Sequence, residues 1–576
     1  MIRRIFLAAA ALAAAIATMT HWTVLMLAVV LYSIPFLLGL RRKVVRRTGD
    51  ADQTGAAIVI SVATGIVVLH ADKDTWSIWE VAILLGLLHA LHLLRHVLRV
   101  LVSRRWRTAA DWRNIRVAAA TPVRVEPVAG PTLVPILVWV LAPIFSIFDF
   151  DPAVFVLLSI LSLALSIVTF VPTTRALLRN LRMPSESARL GSLTAAMREA
   201  GPELLVHFNA RSRSAYALTD WITVLERVNE RHRVVILTVD RQPWHFETIP
   251  ATTIPLVHLS GAEAIEHFVE QVPSLAIALY PRNTSPNKNL LRVPGLFDVY
   301  IGHGDSDKAE AANPATRAFD EIWLAGKAAR ERYLAANIGV REEQLRIPGR
   351  PQVSELLDLA RSVQPGSKKT VVYAPTWEGY YAEDGYSSIL TLGVSAISAL
   401  IARNDVTVKY VPHPALGSLN RAFADASDAV AHRVRRAGGT VVVAGTLTER
   451  YAAIASADLL VTDVSSDLVD FLALDRPYIV LNAGGMSAAT FRAATPSAAA
   501  GTVLDATSIA TLGDVVADSI DSDSRSADRA ELAKLFLGDL SAPPLERFVA
   551  EVDRAVDKVR SSRPARELPA AEDQPA

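Results

Sequence analysis

Cysteine is absent from the 576-residue chain. Its absence excludes disulfides, thiolate-bound metal sites and a cysteine nucleophile. Two nucleotide motifs are absent as well: the sequence holds no Gly-x-x-x-x-Gly-Lys-Ser/Thr loop, and no Gly-x-Gly-x-x-Gly follows an apolar run. The classes of P-loop NTPases and NAD-dependent enzymes therefore lose support. The net charge of +1 is close to zero and indicates no class of partner.

Long apolar runs are concentrated in residues 1–172, although hydrophobic residues make up 51% of the whole chain. A membrane-spanning helix needs about 20 largely apolar residues. The strongest candidates are residues 22–40, 78–94, 133–148 and 153–171, and two weaker ones are 5–19 and 56–69. The pattern predicts a transmembrane region of about six helices over residues 1–172.

Basic residues follow alternate candidate spans, at residues 41–47, 95–116 and 175–182. Because positively charged loops stay on the cytoplasmic side, we expect a multi-pass protein of the cell membrane whose catalytic domain is cytoplasmic. Residues 5–19 are alternatively interpreted as a signal peptide. The basic segment 99–126, which contains Trp106 and Trp112, either lies on anionic lipid or serves only as a topology signal.

After residue 185, short apolar runs alternate with longer amphipathic stretches, which predicts parallel sheets covered by helices. The runs fall into two sets, one within residues 185–348 and one within 349–560. Each set has the size of one doubly wound domain. Two such domains facing each other would form a cleft, and ligands of these folds bind at the carboxyl ends of the strands. Residues 561–576, rich in Pro, Ala and Glu, are expected to be a disordered tail.

A single histidine, His303, lies between two glycines directly after an apolar run, and Lys308 follows it. Glycines permit a sharp turn and a close ligand. A histidine held in such a turn can take a proton from a hydroxyl group near neutral pH, and the lysine can meet a phosphate. Two alternatives remain: a turn with a solvated histidine, and a metal site formed by His303, Asp305 and Asp307.

Two further motifs follow apolar runs in the second set. Residues 373–377 have the sequence Tyr-Ala-Pro-Thr-Trp, in which Thr376 is a candidate phosphate ligand and Trp377 a candidate cover for a bound ligand. A packed loop is the alternative interpretation. His413 lies between two prolines, which restrict the main chain around it. It is either a donor to a diphosphate oxygen or a structural histidine.

The fourth motif has the sequence Thr-Asp-Val-Ser-Ser-Asp at residues 462–467 and continues into a helical pattern. Ser465 and Ser466 are candidates for an anion site, because free N–H groups and the helix dipole point at a ligand there. The alternative is an ordinary serine N-cap, which Asp467 favours because its charge would repel a phosphate. Asp463 and Asp470 are candidate partners of ribose or acceptor hydroxyls, or else solvated carboxylates.

The order of the four motifs resembles the CDP-glycerol glycerophosphotransferase family, which includes teichoic-acid primases and polymerases, over residues 275–485. That family carries a His-Gly-Thr-Pro block with a nearby Lys, then Tyr-Ala-Pro-Thr-Trp, then His-Pro after a strand, then Thr-Asp-x-Ser-Ser followed by an Asp. Arg350, within Gly-Arg-Pro, resembles a Gly-x-Pro element. Two differences stand out: Asp305 and Ser306 replace Thr-Pro, and Glu378 replaces the Arg that often follows the Trp.

The resemblance implies a GT-B-like α/β fold of two facing Rossmann-like domains, here expected after an α-helical membrane region that the family does not share. It also implies transfer of glycerol phosphate, or a related polyol phosphate, from a CDP-activated donor to a lipid-linked or polymer acceptor in cell-envelope polymer synthesis. His303 and His413 would be catalytic. The expected substrate-binding residues are Lys308, Arg350, Thr376, Trp377, Asp463, Ser465, Ser466 and Asp470.

The partners expected from this resemblance are a CDP-linked donor, a lipid-linked polyol phosphate acceptor and membrane lipids, and not a nucleic acid. No cofactor or metal would be required, although Mg²⁺ would be able to assist. Because a fold does not determine the donor, two alternatives remain open. One is a GT-B nucleotide-sugar glycosyltransferase or epimerase, and the other is a non-catalytic membrane protein that binds a polymer.

Overall fold

The computed structural model describes residues 111–115, isolated helical positions between 160 and 179, and residues 186–209, 215–239, 249–308, 311–364, 366–379, 386–443 and 445–562. The chain forms two compact units. One comprises residues 1–109 and 120–185, and the other comprises residues 110–119 and 186–576. The second unit contains two β-sheets, each with its own apolar core.

The first sheet has eight strands in the order β1-β4-β3-β2-β5-β6-β7-β8, and all neighbours are parallel except β1 and β4. Its strands are β1 (Asp111–Arg113), β2 (Leu204–Phe208), β3 (Val234–Thr238), β4 (Leu256–His258), β5 (Ile277–Tyr280), β6 (Phe297–Tyr300), β7 (Glu321–Trp323) and β8 (Leu345–Arg346). Most of them are nearly continuous apolar runs, as expected for parallel strands that are covered on both faces.

The second sheet has six parallel strands in the order β11-β10-β9-β12-β13-β14. Its strands are β9 (Lys369–Ala374), β10 (Val406–Tyr410), β11 (Thr440–Val441), β12 (Leu459–Thr462), β13 (Tyr478–Leu481) and β14 (Thr502–Leu504). Apart from β1 and β8, both sheets have the strand order of a doubly wound nucleotide-binding fold, with a reversal beside β2 in one and beside β9 in the other. Ligands of such folds bind where the order reverses, outside the carboxyl ends of the strands.

Helices cover both faces of the two sheets. They are α1 (Glu186–Ala200), α2 (Tyr216–Thr219), α3 (Ile222–Asn229), α4 (Ala262–Gln271), α5 (Lys288–Leu291), α6 (Lys327–Ala335), α7 (Val353–Ser362), α8 (Gly393–Ile401), α9 (Arg421–Arg436), α10 (Leu447–Ala455), α11 (Ser466–Phe471), α12 (Ala488–Ala494), α13 (Leu512–Asp521), α14 (Ser526–Leu537) and α15 (Pro544–Ser562). The expectation of two facing Rossmann-like domains therefore describes the arrangement of strands and helices in this unit.

The last helix, α15, belongs by its packing to the first sheet, although it follows the second sheet in sequence. Its buried side chains join the core formed by β2, β3, β5 and β6. The ring of Phe548 packs 5.2 Å from Trp221 and 5.3 Å from Trp323, measured between ring centroids. The chain thus crosses from the first domain to the second and returns, and the start of α15 lies beside the crossing, where the Leu545 N–H donates to the Ser354 hydroxyl at 2.9 Å.

Strand β1 lies within the segment 99–126, for which the sequence leaves open a position on the membrane surface. Instead, β1 pairs antiparallel with β4, and the Trp112 side chain is buried in the core beneath the sheet. The Arg189 guanidinium lies 5.6 Å from the centre of the Trp112 ring. The side-chain amide of Asn114 donates to the carbonyl oxygens of Thr252 and Ile254. Trp112 is therefore a core residue of the second unit.

The prediction of an α-helical membrane region over residues 1–172 is contradicted by the described part of the structure. Within the ranges that the structure describes, no helix is both long and apolar enough to cross a bilayer. The longest of the helices given above, α15, has 19 residues, and charged side chains run along its exposed face. The candidate spans themselves, apart from isolated positions, lie outside the described residues. Of the expected tail at 561–576, residues 561 and 562 end α15, and residues 563–576 lie outside the described residues.

Candidate functional site

A cavity of about 250 Å³ lies between the two sheets at the carboxyl ends of their strands. The loops after β6, β9, β10 and β12 line it, together with the start of α2 and the loop after β5. These loops flank the points where the strand order reverses in the two sheets. All four sequence motifs therefore reach one cavity, as expected for motifs at the ends of parallel strands.

The His303 turn is shaped by contacts from both domains. Gly302 has a φ of 61°, a left-handed conformation that favours glycine. Its carbonyl oxygen accepts a hydrogen bond of 2.7 Å from the indole N–H of Trp221. Gly304 lies against the start of α11: a Cβ atom added to it would be 2.9 Å from the Cβ of Ser466. The turn thus brings the main chain of the first domain directly onto the second.

His303 is a neutral imidazole in this setting. Burial lowers the pKa of His303 to about 3, and the charges of Arg282 and Arg350 act in the same direction, while the Pro281 main chain opposes the shift. Its Nδ1 atom is buried and makes no hydrogen bond of normal geometry. A neutral imidazole can accept a proton. The charges of an incoming diphosphate would offset the cations and make His303 a stronger base.

His413 has a defined tautomer. Its Nδ1 atom accepts the Ala415 N–H at 3.0 Å, so in the neutral ring the proton lies on Nε2, which can donate to a ligand. Burial holds the pKa of His413 well below its usual range, and Arg450 and Lys308 lower it further. The Trp377 ring is stacked over the imidazole with the ring centroids 6.3 Å apart.

Tyr216, which the sequence motifs do not identify, lies between the two histidines. Its ring centroid is 5.6 Å from that of His303 and 5.2 Å from that of His413, with edge-on geometry in both pairs. The ring packs against the first-sheet core on its other side. One side chain of the first domain therefore separates a histidine of its own domain from a histidine of the other.

Lys308 crosses from the first domain to the second. Its Nζ atom donates to the Thr376 hydroxyl at 3.0 Å and lies 5.3 Å from the centre of the Tyr386 ring. Asp463 holds the loop that carries Thr376. Its Oδ2 atom accepts hydrogen bonds from the main-chain N–H groups of Thr376 at 2.9 Å and Ser388 at 3.0 Å. Asp463 is fully buried and does not line the cavity, and burial raises its pKa to about 7.

Arg350 is largely occupied by protein partners. Its guanidinium forms a two-pronged ion pair with Asp470, at 2.9 and 3.2 Å, and Tyr451 donates to the same carboxylate at 2.6 Å. Another N–H of Arg350 donates to the carbonyl oxygen of His303 at 3.2 Å. Asp470 is fully buried and does not line the cavity. Asp470 thus holds the Arg350 guanidinium, and Arg350 in turn holds the main chain of His303.

The start of α11 is an N-cap of the ordinary kind. The Ser465 hydroxyl accepts the Leu468 N–H at 3.2 Å, and both Ser465 and Ser466 line the cavity. The Asp467 carboxylate is balanced by Arg450, whose Nε lies 3.3 Å from it. Arg450 also pairs with Asp220 of the first domain at 2.8 Å. These pairs bring a buried cation, which the motifs do not identify, to the wall of the cavity.

The acidic residues after His303 have protein partners. The Asp305 carboxylate pairs with Arg332 of α6 at 2.7 Å, and Asp307 accepts the Ser497 N–H at 2.8 Å across the two domains. Among the residues described, no group of three or more His, Asp or Glu side chains is arranged to hold a metal ion. In this geometry Asp305 and Asp307 serve as ties that hold the His303 turn.

Comparison with known proteins adds a family match over part of the chain. Residues 324–485 match the family model described as CDP-Glycerol:Poly(glycerophosphate) glycerophosphotransferase. The matched segment contains Arg350, residues 373–377, His413 and the motif at 462–467, whereas His303 and Lys308 precede it. The chain is a CDP-glycerol glycerophosphotransferase-like enzyme.

Solved structures similar to the enzyme share little sequence with it. The wall teichoic acid polymerase TagF has 13% identity and a TM-score of 0.44, over 65% of this chain and 93% of that one. A glycosyltransferase from Rickettsia africae ESF-5 has 10% identity and a TM-score of 0.40, over 63% and 99%. The UDP-GlcNAc 2-epimerase from Methanocaldococcus jannaschii has 14% identity and a TM-score of 0.40, over 61% and 99%. No curated protein sequence matched the chain.

The cavity of the enzyme brings together most of the residues singled out in the sequence. The predicted residues that line it are His303, Lys308, Arg350, Thr376, Trp377, His413, Ser465 and Ser466. The side chains of Tyr216, Arg282 and Arg450 line it as well and were missed. Tyr216 follows β2 and Arg282 follows β5, the two strands between which the strand order of the first sheet reverses. Both residues could therefore have been found from the predicted topology, whereas nothing in the sequence marks Arg450.

Proposed function

We propose that the enzyme transfers glycerol phosphate, or a related polyol phosphate, from a CDP-activated donor to a hydroxyl group of a lipid-linked or polymer acceptor in teichoic-acid-type polymer synthesis. The pair of neutral histidines supports this most directly: His303 and His413 come from opposite sheets and meet on either side of Tyr216. The family match over residues 324–485 supports the class of donor.

In the proposed step, the acceptor oxygen attacks the phosphorus that carries the glycerol. The bond from this phosphorus to the bridging oxygen breaks, and CMP leaves with the electron pair. His303 takes the proton of the acceptor hydroxyl, a contribution of about 10²–10⁴ in rate. The Nε2–H of His413 donates to the departing phosphate, and the Lys308 ammonium group, which lines the same cavity, offsets its charge.

In this proposal the step needs no metal, because Lys308 supplies a positive charge and the His413 N–H supplies a hydrogen-bond donor at the cavity. Mg²⁺ would still be able to assist by binding the diphosphate. A titration with EDTA and added Mg²⁺ tests this point. Since CDP-linked donors are cytoplasmic metabolites, the proposal also requires the catalytic domain to face the cytoplasm.

A panel of CDP-glycerol, CDP-ribitol and UDP-sugars tests the donor, with the released nucleotide as the readout. We expect CMP from a CDP-polyol and no UDP from the sugars. Release of UDP alone would overturn the proposal in favour of a glycosyltransferase, and conversion of a UDP-sugar into its epimer would overturn it in favour of an epimerase. Absence of turnover with every donor would favour the non-catalytic alternative.

The His303→Ala variant tests the base. We expect turnover to fall by about 10²–10⁴ while donor binding stays nearly unchanged. The matched control is His432→Ala, since His432 is an exposed histidine of α9 that does not line the cavity. Unchanged turnover in His303→Ala would rule out the assigned base.

A further inference from the structure

The carboxylate of Glu378 binds the loop that carries His413. Its Oε2 atom accepts the Gly417 N–H at 2.8 Å, and its Oε1 atom accepts the N–H groups of Leu419 at 2.8 Å and Asn420 at 3.2 Å. Three main-chain donors of one short segment thus converge on one carboxylate. Hydrogen bonds from N–H groups to a carboxylate are stronger than those between neutral groups.

The segment between β10 and α9 is folded as one unit with His413. The Leu416 N–H donates to the His413 carbonyl at 2.9 Å, and the Ala415 N–H donates to its Nδ1 atom at 3.0 Å. Gly417 has a φ of 74°, and a Cβ added there would lie 2.6 Å from Ala424. Because the turn fits closely onto α9, a shift at residues 417–420 is transmitted to the imidazole.

Glu378 also joins this loop to the neighbouring one. It follows Trp377, whose ring stacks over His413, and both residues belong to the loop after β9, the strand next to β10. The carboxylate therefore sets the position of the imidazole relative to Trp377 and to the cavity that all three residues line.

We propose that Glu378 is a positioning residue: by binding the N–H groups of residues 417–420, it holds the Nε2–H of His413 toward the departing phosphate. This inference rests on the proposed function, in which His413 stabilises the leaving group. Glu378 itself need not touch either substrate, so its effect should appear in kcat rather than in the KM for the donor.

The Glu378→Gln variant keeps the shape of the side chain but replaces one acceptor oxygen with an NH₂ group that faces a main-chain donor. We expect kcat to fall about 10-fold, since small displacements of a catalytic group are costly. The matched control is Asp505→Asn. Asp505 binds the N–H groups of Thr507 and Ser508 at 2.9 and 3.1 Å, but it follows β14 and does not line the cavity, so kcat should not change in this variant.

A double-mutant cycle separates positioning from general damage. In a His413→Ala background, Glu378→Gln should cause no further fall in kcat, because the group it positions is gone. An equal fall in both backgrounds, or full kcat in Glu378→Gln, would overturn the inference.

The second readout does not depend on turnover. Ring ¹⁵N signals of selectively labelled protein should show one tautomer of His413, protonated at Nε2, and a mixture of tautomers in Glu378→Gln. If His413→Ala is fully active, the proposed role of His413 fails, and the ¹⁵N signals alone then decide whether Glu378 fixes the imidazole. An unchanged tautomer in Glu378→Gln would refute the positioning.

Discussion

Replacement of Gly304 by Ala tests whether the two domains must approach as closely as they do beside His303. The added methyl group would lie 2.9 Å from the Cβ atom of Ser466 and 3.1 Å from its Oγ atom, whereas ordinary contacts are 3.4–4 Å. The two main chains must therefore separate by about 0.5 Å. Gly304 does not have a positive φ, so the effect is steric and not a matter of backbone strain.

A displacement of about 1 Å in a catalytic site can cost about 10²-fold in rate, so a shift of about half that size should lower kcat/KM about 10-fold. Stability should change little, since Gly304 is exposed and its replacement fills no core. Initial rates of CMP release measure the first effect, and urea unfolding measures the second. Gly191→Ala is the matched control, because an added Cβ there meets nothing within 4 Å.

The compensating variant is Gly304→Ala with Ser466→Gly, which removes the atoms that the new methyl group would meet. We expect most of the lost rate to return. Ser466→Gly alone should cost at most about 1 kcal/mol of helix stability. Full activity in Gly304→Ala, or failure of the double variant to recover, would refute the idea that this contact sets the distance.

Three further predictions concern the pH dependence of catalysis, the pH dependence of stability and the first sheet. Burial lowers the pKa of His303 to about 3, so His303 should still be neutral at pH 5 in the free enzyme. We therefore expect no fall in kcat/KM around pH 6.5 from protonation of His303. A fall centred at pH 6.5 that disappears in His303→Gln would contradict this prediction. Near pH 6.5 the imidazole of residue 303 takes up a proton in the unfolded chain but not in the folded one. The contribution of His303 to the free energy of unfolding is therefore complete above pH 6.5 and falls as the solution is acidified. The His303→Gln variant should show a weaker pH dependence of the unfolding free energy, as measured by urea unfolding. Trp112→Ala should cost about 3–5 kcal/mol of unfolding free energy and speed hydrogen exchange of the β4 amides, whereas unchanged exchange there would show that β1 is not held by this side chain.

Local patterns predicted most of both sheets. The short apolar runs after residue 185 contain the strands of both sheets apart from β1, β8 and β14, because burial on both faces leaves a continuous hydrophobic signal. The strands that were missed, β1, β8 and β14, have two or three residues each and leave no such run. The membrane prediction is not supported by the described residues, where no helix is long and apolar enough to cross a bilayer, because hydropathy reports the composition of a segment and not the helix that it forms.

The residues of the site also divide into those that the sequence predicts and those that it does not. His303, Thr376 and His413 could be found because each directly follows a strand and so lies at the edge where ligands bind. The ion pairs around the cavity could not be predicted, although Arg350 and Asp470 were both candidate residues: Asp470 engages Arg350 from 120 positions away, and Asp220 engages Arg450 from 230 positions away. Such pairings depend on how the two sheets face each other, which no local pattern encodes. Glu378 was noted only as a departure from the family, while its contacts with residues 417–420 give it a structural role.

The position of β1 in the chain has a consequence for how the protein is made. This strand is flanked in sequence by residues 1–109 and 120–185 of the other unit, so the catalytic unit is not one continuous stretch. During synthesis β1 leaves the ribosome well before β4, the strand with which it pairs. At ordinary elongation rates it waits on the order of 10 s for that partner. A truncated gene that begins at residue 186 would never supply it, and the unpaired edge of β4 would be open to pairing with another chain.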